Sequence, residues 1–294
     1  MIAITGGTGF IGSQVARSAL AEGLRVRVVA RDAEGAQELL GLGAEFAPGD
    51  VQDADSLARA FEGAEAVVHL VGIIQEKGRN TFEAVHHRGA ANAARAARRA
   101  GARKLVHMSA LGTRPDARSE YHRTKWLGEE AVRASGIEWT IHRPSIVYGR
   151  GDGFVSQFVS IIRKSPVLPV PGNGRNRMQP VWVGDVAACF LQSVDRGRTT
   201  GRVYELGGPR AYTLDEILDQ ILAALGTRRL KLHVPLPALR LNAAVLERLL
   251  PTPPVTRDQL LMLEEDNVCD TTAMRRDFDV EMPDLPEGLR RTLA

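Results

Sequence analysis

Short apolar runs recur along the first half of the chain, near residues 1–5, 25–30, 44–47, 65–70, 103–109 and 138–143. Between them apolar residues fall at helical spacing, as from Ala91 to Ala100 and from Tyr121 to Ala134. Short runs bounded by turn residues read as strands, and apolar positions recurring every three or four residues read as helices. Strand and helix alternate, so successive strands lie parallel. Ala66-Val67-Val68-His69-Leu70-Val71 is apolar at nearly every position, which suits a strand covered on both faces. Right-handed crossovers then place helices on both sides, and the pattern predicts an α/β fold, a Rossmann-type doubly wound parallel sheet.

After Gly149 the rhythm breaks. Residues 1–150 read as a Rossmann domain, and 151–294 as a mixed region contributing the last sheet elements and a small C-terminal lobe. The stretch from Ser165 to Pro180, rich in proline, glycine and asparagine, predicts a loop over the carboxyl edge of the sheet rather than a core element. Arg175 and Arg177 within it are candidates for a substrate diphosphate. Thr213-Leu214-Asp215-Glu216 is a capping box opening a helix, and a further helix is expected from Pro237 to Leu250. The apolar face of Leu236 to Leu250, with Pro251-Thr252-Pro253-Pro254 after it, is expected to pack on the Rossmann domain, contact with a quinone, lipid or partner being the alternative.

Between the first strand and its helix stands Thr5-Gly6-Gly7-Thr8-Gly9-Phe10-Ile11-Gly12, with glycines spaced G-x-x-G-x-x-G rather than G-x-G-x-x-G. A strand, a glycine turn and a helix N-terminus together bind a dinucleotide. Side chains there would hold the backbone off the pyrophosphate, and the unpaired N–H groups of the helix attract it. The second strand ends Val28-Val29-Ala30-Arg31-Asp32. An acidic residue at that tip accepts from the ribose of NAD, whereas arginine pairs with the extra phosphate of NADP. Arg31 at the tip makes NADP(H) the expected cofactor, with NAD(H) the alternative.

Further on, Tyr121-His122-Arg123-Thr124-Lys125 puts a tyrosine and a lysine one helical turn apart on one face. Tyrosine titrates near 10 and is a poor base at neutral pH, but an adjacent ammonium favours the phenolate and also bonds a nicotinamide ribose. With Gly49-Asp50-Val51, His69-Leu70-Val71-Gly72, Arg143-Pro144-Ser145-Ile146-Val147-Tyr148-Gly149 and Val181-Trp182-Val183-Gly184-Asp185-Val186, the chain resembles an extended or atypical short-chain dehydrogenase/reductase along nearly its whole length. Leu70-Val71-Gly72-Ile73-Ile74 with Thr81-Phe82-Glu83, His107-Met108-Ser109-Ala110-Leu111-Gly112, and Leu127-Gly128-Glu129-Glu130 with Trp139-Thr140-Ile141 are similar to one branch. That branch holds the nucleotide-binding accessory subunit of respiratory complex I and its bacterial relatives.

The resemblance implies roles residue by residue. Gly6, Thr8, Gly9, Phe10, Ile11 and Gly12 would lie at the pyrophosphate, Asp50 and Val51 at the adenine, and Val71 and Gly72 at the nicotinamide ribose. Ser109 and Pro144 complete the cofactor-binding set, and Tyr121 and Lys125 match the catalytic pair. The family's usual serine or threonine after the fifth strand falls on Ala110, and its helix-four asparagine falls on His86, which reads as structural. The expected function is an NADP(H)-binding oxidoreductase. A weakly active or non-catalytic structural or regulatory binder of NADP(H), a redox sensor and a nucleotide-sugar epimerase or dehydratase are the alternatives.

Charge narrows the partners: 38 basic against 35 acidic side chains leave +3 over 294 residues. The cluster Arg95, Arg98, Arg99, Arg103 and Lys104 lacks interleaved aromatics and reads as a solvated helix face, so no nucleic acid is expected. Cys189 and Cys269 stand far apart with no ligand spacing around them, predicting neither a disulfide framework nor a metal site. No apolar run approaches the ~20 residues of a membrane span, and no signal peptide is expected. The expected setting is the cytoplasm, with a small-molecule substrate or a quinone-related partner, and the sequence leaves the oligomeric state open.

Overall fold

A computed structural model describes residues 1–194, 197–250 and 253–293, so Pro251 and Thr252 of the proline-rich stretch lie outside the described residues. Strands β1 (Ile2–Thr5), β2 (Val26–Ala30), β3 (Glu45–Pro48), β4 (Ala66–His69), β5 (Lys104–Met108), β6 (Glu138–Pro144) and β7 (Arg202–Leu206) form one seven-stranded sheet. Its order is β7-β6-β5-β4-β1-β2-β3, every pair parallel. The chain runs outward from β1 to β3 and then returns to lay β4 on the other side of β1. The strand order therefore reverses at β1 and β4, and a crevice opens beyond their carboxyl ends.

All residues of β1 and β4 are buried because both faces are covered. On one face Ile2, Ile4, Val28 and Val68 pack with Val15, Ala16 and Ala19 of α1 (Phe10–Ala21). The short α2 (Gln37–Gly41) adds Leu39 to that layer. On the other face Ala3, Val29, Val67 and Leu105 meet Leu57 and Ala60 of α3 (Ala54–Ala60) and the buried alanines of α4 (Gly89–Arg99). Alternation along each strand sends neighbouring side chains to opposite faces. A π-type turn, Glu83–Arg88, runs directly into α4, and α5 (Glu120–Arg133) lies close against it. A Cβ on Gly128 of α5 would stand 2.3 Å from the His86 carbonyl oxygen, so glycine is what lets these two segments meet.

The sheet continues past residue 150. After α6 (Phe154–Lys164), α7 (Val183–Gln192) packs beside α1, and β7 forms the edge next to β6. A third apolar cluster joins α6 to α8 (Leu214–Ala224), whose capping box at Thr213 and Glu216 is formed. The lobe also holds α9 (Leu236–Leu249), α10 (Arg257–Met262) and α12 (Leu285–Leu293), whereas α11 (Thr272–Asp277) packs against β7 and the core of the large sheet.

Three expectations need correction. The helix from Leu236 does not pack its apolar face on the Rossmann domain: only Ala243 is buried, Leu241, Val245 and Leu249 are exposed, and its neighbour is α10. The Ser165 to Pro180 stretch is not only loop: Val167–Pro171 is a strand paired in parallel with Leu230–Val234, and Leu168 and Val170 are fully buried. In a two-stranded pair each strand is an edge, where the missing N–H of a proline is tolerated. Nor does Lys104 belong to a solvated basic face. It is buried, and its Nζ donates to Thr199 Oγ1 at 2.8 Å, while Arg99 and Arg103 pair with Asp55 and Glu65. Among the described residues no helix is long and apolar enough to cross a membrane.

Candidate functional site

At the carboxyl end of β1 the chain turns through Gly6 at φ +71°, a conformation that favours glycine. Gly9 caps α1 with no side-chain hydrogen bond, which leaves the first N–H groups of that helix available to an anion. The fingerprint glycines differ in duty. A Cβ on Gly9 would meet only the Gly6 oxygen, at 3.2 Å, whereas one on Gly12 would lie 2.1 Å from it. Gly12 is buried and lets α1 close onto the turn. Phe10 packs its ring beneath Gly149, and Ile11 leans on the core.

The crevice beside this turn is a cavity of about 220 Å³ lined by Gly6, Thr8, Arg31, Asp50, Val51, Val71 and Gly72 among others. Glycine backbone, open helix N-terminus and cavity fit a dinucleotide. At one end Asp50 accepts from Gln52 N at 2.9 Å and from Arg79 at 2.5 Å, and Gln52 bonds Asn80 at 2.9 Å. Outside Asp50 lies a wider recess, about 500 Å³, lined by Arg31, Arg59 and Arg79. Three guanidinium groups around one recess suit a phosphate.

At the other end stands Lys125, buried, its Nζ donating to Met108 O at 3.1 Å and lying 6.0 Å from the centre of the Tyr121 ring. A Cβ on Gly72 would come within 3.0 Å of that Nζ, so the loop after β4 passes directly over the lysine. Burial pulls Lys125 down to about 8, against the opposing pull of Glu129 one turn later. Glu129 is fully buried and held by Arg133 at 2.6 Å and Arg143 at 2.7 and 2.8 Å. The ring of Tyr121 meets His86, His122 and Phe82 edge to face. Burial pushes its hydroxyl up to about 12, contrary to the expectation that the ammonium would favour the phenolate. Lys125 sits over the ring face, and desolvation dominates. Tyr121 is therefore a protonated donor at neutral pH.

The remaining residues are placed less directly. Ser109 is buried with its Oγ on Thr113 Oγ1 at 3.3 Å, and Ala110 beside it offers no hydroxyl. Pro144 is buried at the end of β6, its carbonyl accepting from Leu111 N at 2.9 Å. Arg177 is engaged by Asp266 at 2.9 Å.

Sequence reasoning assigned His86 no role, yet the structure sets it between the two halves of the site. Its Nδ1 is 3.1 Å from Thr124 Oγ1, and its Nε2 is 3.1 Å from Ile73 N and 3.0 Å from Ile73 O. Protonation at Nδ1 satisfies the longer chain: Nδ1–H donates to Thr124, Thr124 donates to Glu120 O at 2.8 Å, and Ile73 N–H donates to Nε2. Burial and the Lys125 charge hold the imidazole neutral, down to about 2. The available signal was its position three residues before the glycine that opens α4.

The NAD dependent epimerase/dehydratase family model matches residues 2–207. A ceramide reductase of Caulobacter vibrioides is 34% identical over 249 residues, covering 84% of this chain and 77% of the relative. Subunit 9 of the NADH dehydrogenase 1 alpha subcomplex from Arabidopsis thaliana is 28% identical, covering 96% of this chain and 72% of its own. Among solved structures, an NADPH-dependent quinone oxidoreductase from Escherichia coli, complexed with NADPH, superposes with a TM-score of 0.76 at 19% identity, covering 98% of each chain. Glycine turn, reversed strand order and extended matching segment agree, and the chain belongs to the NAD dependent epimerase/dehydratase family, the extended short-chain dehydrogenases/reductases.

Proposed function

We propose that this protein is an NADP(H)-dependent oxidoreductase that reduces a carbonyl compound, with Tyr121 as the acid and Lys125 as the residue that holds the nicotinamide ribose. The observation that carries the reading is the pair itself: a protonated phenol and a buried lysine on one turn of α5, below the Gly72 loop. When bound, the nicotinamide supplies hydride. Tyr121 then donates its proton to the substrate oxygen, and the Lys125 ammonium stabilises the phenolate left behind. The glycine turn with Thr8, Val71 and Gly72 binds the dinucleotide, Asp50 and Val51 flank the adenine, and Arg31 meets the 2′-phosphate. Ser109 and Pro144 border the nicotinamide side. The relative named a ceramide reductase supports reduction as the direction. A reducing, cytoplasmic setting agrees with Cys189 and Cys269 as free thiols.

A second reading is a protein that keeps NADP(H) and turns over little. Ala110 favours it, because the substrate oxygen loses a hydroxyl partner there. So do the Arg79–Asp50 and Gln52–Asn80 bonds across the adenine end, and the relatives named as NADH dehydrogenase subunits. Nucleotide-sugar epimerisation draws less support, since Arg177 is already paired. A screen of carbonyl compounds, quinones and nucleotide sugars, following NADPH absorbance, tests the choice. Turnover that falls about 10²-fold or more in Tyr121→Phe, with NADPH affinity little changed, supports the oxidoreductase. Robust turnover in that variant overturns it, and NADPH retained without turnover favours the second reading.

A further inference from the structure

Tyr121 stands in the first turn of α5, where a helix is least secure because its first four N–H groups lack partners within the helix. Here those of Glu120, Tyr121 and His122 all find side-chain acceptors, and that of Arg123 makes the first bond of the helix to the N-cap carbonyl. Ser119 accepts from His122 N through Oγ at 3.2 Å and from Arg123 N through its carbonyl at 3.2 Å. The other two bonds come from far along the chain: Oδ1 of Asp258 accepts from Glu120 N at 2.7 Å, and its Oδ2 accepts from Tyr121 N at 3.2 Å. Asp258 belongs to α10 of the C-terminal lobe. That helix and the turn after it are pinned to the Rossmann side by Arg114, which clasps Glu265 at 2.8 and 2.7 Å, and by Arg118 on Glu264 at 3.0 Å. On the approach to α10, Pro253 accepts from Gln75 Nε2 at 3.1 Å. The segment 253–265 therefore runs from the loop after β4 to the first turn of α5.

With Tyr121 taken as the acid, an assignment on which the role rests, we propose that Asp258 is a positioning residue through which the seating of the C-terminal lobe fixes the reacting tyrosine. A carboxylate at a helix N-terminus is favoured by the dipole, and its bonds to backbone N–H groups are charge-assisted. Without it the first turn of α5 frays at the residue whose hydroxyl must meet the substrate oxygen. Displacement by about 1 Å at such a site costs on the order of 10²-fold in rate.

Two measurements on the full chain need no substrate, so they decide whether Asp258 holds Tyr121 in place even if the oxidoreductase reading fails. Hydrogen exchange of peptides covering 118–124 is compared in the unaltered protein, Asp258→Asn and Asp258→Ala. Tyrosinate absorbance is titrated in the same set, each against its Tyr121→Phe counterpart. Asp258→Ala raises exchange in that peptide at least tenfold, with α1 and α4 unchanged. It also lowers the Tyr121 titration towards the ordinary tyrosine value, because fraying admits water to a phenol whose high value comes from burial. Asp258→Asn removes the same charge but keeps a carbonyl acceptor, so both shifts are at most half as large. Should the alanine variant not fold, Glu265→Gln loosens the seat at Arg114 with Asp258 intact and gives a smaller rise in the same peptide. Unchanged exchange at 118–124, or asparagine and alanine variants shifted equally, overturns the proposal.

Discussion

Gly9 and Gly12 stand in one turn and answer to different constraints. At Gly12 an added Cβ would press on the Gly6 oxygen from 2.1 Å, backbone against backbone, with nothing flexible to yield. Gly12→Ala is expected to cost about 3 kcal/mol, the upper end of overpacking in a buried contact, seen as a lower urea midpoint. At Gly9, with φ −79°, a side chain asks the Gly6 carbonyl to give by only a few tenths of an ångström. Gly9→Val should therefore keep the midpoint while calorimetry shows NADPH binding lost. Equal effects of the two variants on stability would refute this division. Arg31 gives a separate test of the proposed NADP(H) preference, because a guanidinium that pairs with a 2′-phosphate would discriminate between the two cofactors. NADPH is expected to bind more tightly than NADH, and Arg31→Glu to abolish or reverse the preference. Equal dissociation constants in the unaltered protein would count against it.

At the scale of elements, the π-type turn, α5 and the Gly72–Ile73 loop are held together by His86. An imidazole that accepts from one backbone N–H and donates to Thr124 leaves the partly buried Ile73 N–H without its acceptor if replaced by an apolar side chain, while Thr124 keeps its bond to the Glu120 carbonyl. His86→Leu should lose about 1–3 kcal/mol and weaken NADPH binding, since the Gly72–Ile73 loop it releases lines the cavity and passes over Lys125. Fluorescence titration of NADPH with parallel melting curves measures both, and a leucine variant matching the parent in each would show the histidine to be a filler. The pattern of apolar runs was enough to locate this helix to within a residue. What the helix leans on was not readable, because the contacts of His86 with Ile73 and Thr124 span 13 and 38 positions.

Across the whole molecule, five of the seven histidines are held neutral by burial. His69 and His142 fall to about 3, His86 to about 2 and His122 to about 4, and His107 well below its usual value. For each the folded value lies below the unfolded one, near 6.5, so between them the unfolded chain binds more protons. Stability is therefore full above about pH 6.5 and is lost as pH falls towards the folded values, by up to about 1.4 kcal/mol per unit per histidine. Urea midpoints should drop steeply between about pH 7 and 5, above the range in which carboxylates titrate. A flat profile there would show that these imidazoles are charged or solvated in the folded protein.

Sequence alone determined the parallel sheet, the glycine turn after β1 and the placing of Tyr121 and Lys125 on one turn of a helix, because each depends on residues close together in the chain. Strand burial appears as unbroken apolar runs, and a helical turn brings i and i+4 together whatever surrounds them. Only the tertiary structure decided the rest. The strand within Ser165 to Pro180 exists because Leu230–Val234 pairs with it, and Lys104 is buried because Thr199 receives it. The phenol of Tyr121 is raised rather than lowered because desolvation outweighs an ammonium lying over its ring. Asp258 reaches the amide of Tyr121 across 137 positions, a distance at which local pattern carries no information and only folding brings donor and acceptor together.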